Sequence, residues 1–144
     1  MKLLLTERFT AYALLLLIAL TLMFHALIIT GVIPFGIVWG GRMKDQAQML
    51  TFETISVAIN LVMLGVVAVK AGLLEVRIHP GLIKTALWIM FGLFLLNTLG
   101  NLLSKNEVEK MIFTPITLLL SLFSLRLALG KSSAIPRREL ATHA

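Results

Sequence analysis

The sequence contains no cysteine, which excludes disulfide bonds, thiolate catalysis and cysteine-ligated metals. Charged residues are also scarce: they make up 14% of the 144 residues, whereas soluble domains carry about 25%. The scarcity is greatest for acids, since Asp and Glu number 7 against 13 Lys and Arg. A chain this short and this poor in charge could not hide its apolar side chains inside a water-soluble domain.

Hydrophobic residues make up 58% of the chain and are concentrated in four long runs. A spanning helix needs about 20 mostly apolar residues, and each run is long enough. We therefore predict an all-α integral membrane protein, with spans at about residues 9–32, 51–73, 81–103 and 107–129. The first run is too long for a cleaved signal peptide and lacks a small-residue cleavage site, so we expect it to stay in the protein.

Prolines and a capping pattern set the predicted ends of these spans. Pro34 disfavours helix at the residue before it, so span one is expected to end there. The capping-box pattern from Ser104 to Glu107 predicts the start of span four. Pro115 leaves two possibilities: a kink within span four, or a shorter helix that begins at Pro115 and is capped by Thr114.

Short connections predict that consecutive helices are antiparallel neighbours in an up-down bundle. Lys and Arg predict its orientation, because short cytoplasmic loops carry the excess of these residues. Nine of the 13 fall on the side of the N-terminus, second loop and tail, and four fall on the other side. We therefore predict both termini in the cytoplasm, in a bacterial-type inner membrane. Residues 1–130 form one transmembrane domain, and residues 131–144 form a polar, basic cytoplasmic tail.

Polar side chains within the spans are the main functional signal, because an unsatisfied polar group in hydrocarbon costs on the order of several kcal/mol. The predicted topology places eight of them in the outer half of the bilayer. Helical spacing aligns some on one face, as for Glu53, Ser56 and Asn60 at i, i+3 and i+7. The predicted ligand pocket comprises His25, Arg42, Glu53, Ser56, Asn60, Asn97, Asn101, Thr114 and Thr117. No cofactor or metal is expected, since His25 and Glu53 with asparagines make only a weak ligand set.

The same residues have simpler explanations. Asn, Ser and Thr commonly hold membrane helices together at ~0.6 kcal/mol per contact, without any ligand. Glu53 could lie at the membrane surface, where the start of a helix favours an acid. The loop at residues 34–42 could be a flexible turn with Trp39 as an interfacial anchor. Alternatively, it could fold Arg42 over the pocket to pair with Glu53 or an anionic ligand.

Two stripes of small residues predict close packing between helices. In span four the stripe is Thr117, Ser121, Ser124 and Ala128, and in span two it is Gly65, Ala68 and Gly72. The sequence leaves open whether span four packs within the chain or against another copy.

No motif names a reaction, so three functions are considered. The first is a non-enzymatic accessory or assembly subunit, or a sensor. The second is a small transporter or binding protein for a small polar or lipid-like molecule that uses the pocket. The third and least favoured is an enzyme acting on a lipid, with His25 and Glu53 as an acid–base pair.

Expected partners are membrane lipids and either a second copy or a larger membrane complex. Nucleic acid is not expected, since no basic stripe carries interleaved aromatics.

Overall fold

The computed structural model of the chain describes residues 6–131, which form α-helices and loops without a strand. The helices are α1 (Glu7–Ile29), α2 (Gln46–Lys70), α3 (Pro80–Leu102) and α4 (Glu107–Ala128). Each is long and apolar enough to cross a membrane, which confirms the predicted all-helical membrane class. Two short 3-10 turns, Phe35–Ile37 and Trp39–Gly41, lie between α1 and α2. The predicted basic tail lies beyond Lys131, outside the described residues.

Local capping groups explain where α1 ends and α2 begins. α1 ends at Ile29 because Gly31 follows in the left-handed region, with φ +79°, which an α-helix cannot continue. The helix therefore ends before Pro34 is reached. α2 begins ahead of the predicted span because the Asp45 carboxylate accepts a hydrogen bond from the Gln48 backbone N–H at 2.8 Å. Its first turn is thus polar.

α4 is one continuous helix with Pro115 inside it, so the shorter helix capped by Thr114 is not formed. The predicted cap at Ser104 is wrong as well. The Asn106 side-chain oxygen caps the helix by accepting hydrogen bonds from two backbone N–H groups of the first turn. The Ser104 hydroxyl instead accepts from the Asn106 N–H and donates to Glu109. This arrangement ties the loop before α4 to a carboxylate in the first turn of the helix.

A continuous hydrophobic core fills one half of the bundle, which we call the packed half. It is built from the start of α1, the end of α2, the start of α3 and the end of α4. Its fully buried members include Leu14, Ile18, Val67, Leu87 and Leu127. In lipid, helix association depends on such side-chain packing and on interhelical hydrogen bonds. α3 and α4 share the most extensive contact, whereas α2 and α3 touch least among the four neighbouring pairs.

At the end of the packed half, Glu7 is an anion among several cations. Its carboxylate accepts a hydrogen bond from the Lys131 backbone N–H at 3.0 Å. It also lies 3.4 Å from the Lys70 ammonium and 4.0 Å from the Arg126 guanidinium. Lys70 is only 2% exposed, so it needs this counter-charge. These contacts join the start of α1 to the end of α2 and to the segment after α4.

The small-residue stripe of α4 lies against α3 within the same chain. Three of its members are buried: Ser121, Ser124 and Ala128. The Ser121 hydroxyl donates to the Phe91 carbonyl at 3.2 Å. The Thr117 hydroxyl oxygen accepts from Thr98 at 3.0 Å and from Asn101 at 3.3 Å. Side-chain hydrogen bonds therefore accompany close packing along this pair of helices.

The small residues of α2 are not packed in the same way. Nothing from another part of the described chain lies within 4 Å of the position that a Cβ at Gly65 would take. Ala68 is half-buried, and Gly72 lies beyond the last residue of the helix. Within the described residues, Gly65 therefore does not mark a close contact between helices.

Candidate ligand cavity

A cavity of 690 Å³ occupies the half of the bundle where the continuous core stops. All four helices and the loop at residues 34–42 line it, mostly with apolar side chains. Small-molecule sites commonly enclose about 300–1,000 Å³, so the space suits a ligand of that size. Eight of the nine predicted site residues line it, namely His25, Arg42, Glu53, Ser56, Asn60, Asn97, Asn101 and Thr117. Thr114 does not, and its buried hydroxyl has no partner among the described residues.

One of the buried carboxyl groups in the cavity wall is that of Glu53. Glu53 is fully buried, and both of its oxygens are engaged. Its Oε2 lies 2.6 Å from His25 Nδ1, and its Oε1 accepts a hydrogen bond from the Trp39 indole N–H at 2.7 Å. Hydrogen bonds to a carboxylate are among the strong ones in proteins. Glu53 therefore joins α1, α2 and the intervening loop, which differs from the surface acid considered in the sequence analysis.

Glu53 and His25 form a pair and not a larger cluster of ligands. Residues 6–131 contain no group of three or more His, Asp or Glu side chains placed to hold a metal ion. The pair leaves His25 Nε2 without a hydrogen-bond partner in the described part of the chain. Because Nδ1 is held by the carboxyl, the orientation of the imidazole ring is fixed.

Trp39 is a site residue that the prediction of an interfacial anchor misses. Its N–H reaches Glu53, and its ring packs against Phe52 with centroids 5.2 Å apart. Its backbone φ of +56° lies in the left-handed region, which costs a tryptophan about 1–2 kcal/mol. Gly40 and Gly41 continue this turn, each with φ +67°. The Gly-Gly pair was the available signal, because it permits a turn that directs the preceding side chain inward.

The loop at residues 34–42 is also attached to α4. The Gly40 backbone N–H donates to the Glu109 carboxylate at 2.8 Å. The Asn106 side-chain amide donates to the Ile37 carbonyl at 2.7 Å. Glu109 is only 8% exposed and lines the cavity. Together with the bond from Trp39 to α2, these contacts make the loop a bridge across the cavity from α2 to α4.

Apolar packing also holds this loop in place. Val38 is 4% exposed and packs with Ile28 of α1 and Met49 of α2. Phe24 and Phe35 cover this cluster. Three hydrogen bonds and a buried valine are not features of a flexible turn, so the loop acts as a lid over this end of the cavity.

Arg42 lines the cavity but does not pair with Glu53 as considered above. The two oxygens of Glu53 are taken by His25 and Trp39. Within residues 6–131, Arg42 forms no ion pair. It is thus an exposed cation at the end of the lid.

The asparagines of α2 and α3 differ in how many of their side-chain polar atoms form hydrogen bonds. The Asn101 amide donates to Thr117, which agrees with a role in joining α3 to α4. Asn60 is 8% exposed, and its amide donates to the Ser56 carbonyl at 2.8 Å. Its Oδ1 has no partner in the described part of the chain. Asn97 lines the cavity, is exposed and forms no hydrogen bond within residues 6–131. Packing alone therefore leaves Asn60 and Asn97 unexplained.

α2 and α3 share the smallest contact of the neighbouring helix pairs, so few protein contacts hold this side of the bundle together. On α3, Asn97 and Gly100 both line the cavity and are exposed. Nothing from another part of the described chain lies within 4 Å of a Cβ placed at Gly100.

Comparison with known protein families, characterised proteins and solved structures finds no match to this chain.

Proposed function

We propose that this small multi-pass membrane protein is a binding protein, serving as a carrier or sensor, for a small polar or lipid-like molecule held in the cavity. The observation that carries the proposal is at Asn60, a cavity-lining residue whose buried Oδ1 has no protein partner within residues 6–131. In hydrocarbon such a group needs a hydrogen-bond donor. A bound molecule with a donor group would supply it and would fill the surrounding 690 Å³.

A leucine at position 100 tests whether the cavity is the binding site. Gly100 lines the cavity and Gly92 does not, although both lie on α3 and both have open space where a Cβ would go. We expect native mass spectrometry of the wild type in mild detergent to show a bound molecule. Gly100→Leu should lower its occupancy about fivefold or more, because overfilling a cavity costs about 1–3 kcal/mol. Gly92→Leu is the matched control and should retain the molecule. Equal occupancy in the two variants, or an empty wild type, would contradict the proposal.

We further propose an up-down antiparallel bundle with both termini in the cytoplasm, in a bacterial-type inner membrane. The support is the excess of Lys and Arg on that side, nine against four. Contacts between Glu7 and Lys70 at one end, and between His25 and Glu53 further along, agree with opposed directions of α1 and α2. In this orientation the lid faces the outside of the cell.

Single cysteines test this orientation cleanly, because the chain has none of its own. We expect Lys105→Cys, between α3 and α4, to react with a membrane-impermeant maleimide in intact cells. Arg77→Cys, between α2 and α3, should react only after the membrane is permeabilised. The reverse pattern would contradict the proposed topology.

An enzyme acting on a lipid is the second candidate, and one observation favours it. The 2.6 Å contact with Glu53 orients the His25 imidazole, as the supporting carboxyl of a general base does. The two candidates differ in what happens to the bound molecule. A binding protein releases it chemically unchanged after prolonged incubation, whereas an enzyme converts it and loses that ability in His25→Gln.

A further inference from the structure

We infer that the molecule held in the cavity is a membrane lipid whose polar end donates hydrogen bonds, and that it reaches the cavity sideways between α2 and α3. This inference rests on the proposed function and adds the class of ligand and its route. Two independent features of the cavity carry it: the closure of the lid and the distribution of polar groups.

The lid closes the route from water. Three hydrogen bonds hold it to α2 and α4: those from Trp39 to Glu53, from Gly40 to Glu109 and from Asn106 to Ile37. A water-soluble ligand would have to wait for these bonds to break together. In the described part of the chain, no comparable closure spans α2 and α3, where the contact is smallest and where Asn97 and Gly100 are exposed. A lipid in the bilayer meets this side directly.

The helical polar side chains that lack a protein partner lie toward the same side. Within residues 6–131, Asn60 Oδ1 on α2 and Asn97 on α3 are cavity-lining examples. The polar groups that α1 and α4 contribute are already bonded, as His25 is to Glu53 and Glu109 is to Gly40. The rest of these two walls is apolar, with residues such as Leu17 and Ile112. An amphiphile fits this division, with its polar end against α2 and α3 and its hydrocarbon against the other two helices. Because Asn60 Oδ1 is an acceptor, the polar end must carry an N–H or O–H.

Phosphatidylethanolamine and phosphatidylcholine test the donor requirement directly. With identical acyl chains they differ only in the methylation of the amine, so only phosphatidylethanolamine offers N–H donors. We expect delipidated wild type to bind phosphatidylethanolamine about fivefold more tightly in native mass spectrometry, the equivalent of one hydrogen bond of about 1 kcal/mol. The preference should fall stepwise through the mono- and dimethylated lipids, a series that needs no protein variant.

Substitutions on α2 then test whether Asn60 is the source of the preference for phosphatidylethanolamine. Asn60→Leu removes the acceptor while keeping a similar side-chain volume, and it should bind both lipids equally. Thr54→Val is the matched control, since Thr54 is exposed on α2 and does not line the cavity, and it should keep the preference. Equal binding of both lipids by the wild type would overturn the donor requirement. A loss of preference in Thr54→Val as large as in Asn60→Leu would remove Asn60 as its source.

The route has its own test. Asn106→Asp keeps the oxygen that caps α4 but loses the N–H donor that holds Ile37. If lipid arrives between α2 and α3, this substitution leaves its rate of association unchanged. A tenfold faster association would show that the lid is the route and overturn the lateral path.

If no phospholipid binds, while Gly100→Leu still releases a copurified molecule, the lipid inference falls and the proposed binding function stands.

Discussion

Replacing Glu53 by alanine is expected to lower the free energy of unfolding by about 3 kcal/mol. The side chain is fully buried, and it accepts from Trp39 and contacts His25 at hydrogen-bond distance. Its removal leaves an indole N–H and an imidazole without partners, each at a cost of about 1–3 kcal/mol. The strained backbone at Trp39 would also lose the contact that holds it.

Thermal unfolding in detergent, followed by circular dichroism, measures this effect. Glu107→Ala is the matched control, because that glutamate is 73% exposed and, among the described residues, pairs only with Lys110 one turn away. Exposed pairs of this kind contribute about 0.5 kcal/mol. Glu53→Gln should fall between the two, since its amide oxygen can still accept from Trp39. Equal unfolding of the Glu53→Ala and Glu107→Ala variants would show that the buried contacts do not support the fold.

Removing Glu109 is expected to open the lid, with a tenfold or greater increase in the labelling rate of a cysteine placed at position 38. Val38 is a residue of the lid itself and is only 4% exposed, so its cysteine variant should react slowly in an otherwise wild-type chain. Glu109→Ala deletes the acceptor of the Gly40 N–H and of the Ser104 hydroxyl. A loss of about 1.4 kcal/mol in the closed state corresponds to a tenfold larger open fraction.

The labelling experiment carries its controls within the same chain. Glu107→Ala, two residues from Glu109, should leave the rate at position 38 unchanged, because Glu107 bonds only to Lys110 in the described structure. A cysteine at Lys105, which is exposed, gives the rate of an unprotected site. If position 38 already reacts as fast as position 105 in the wild type, the loop does not act as a lid.

The helices and part of the cavity wall follow from local patterns in the sequence. The apolar runs predict four membrane-spanning helices because their length matches the bilayer. The spacing of Glu53, Ser56 and Asn60 places them on one helical face, and all three line the cavity. Such predictions succeed because each depends on residues within a few turns of one another.

The lid could not be predicted in this way. Gly40 and Glu109 are 69 positions apart, and no periodicity in the sequence encodes the path that brings a loop amide to that carboxylate. No sequence pattern assigns a role to Glu109, and Trp39 is predicted only as an interfacial anchor. The pairing considered between Arg42 and Glu53 is not formed, because the left-handed turn directs the indole of Trp39 to the carboxyl.

A crystal structure is the most direct test of whether a ligand occupies the cavity between the polar faces of α2 and α3. The crystals would be grown from a lipidic mesophase. We predict non-protein density beside Asn60 Oδ1, with the lid bonded to Glu53 and Glu109. A structure in which α2 closes against α3, with the Asn60 amide bonded to Asn97 and no space between them, would contradict the claim and leave these asparagines as packing residues.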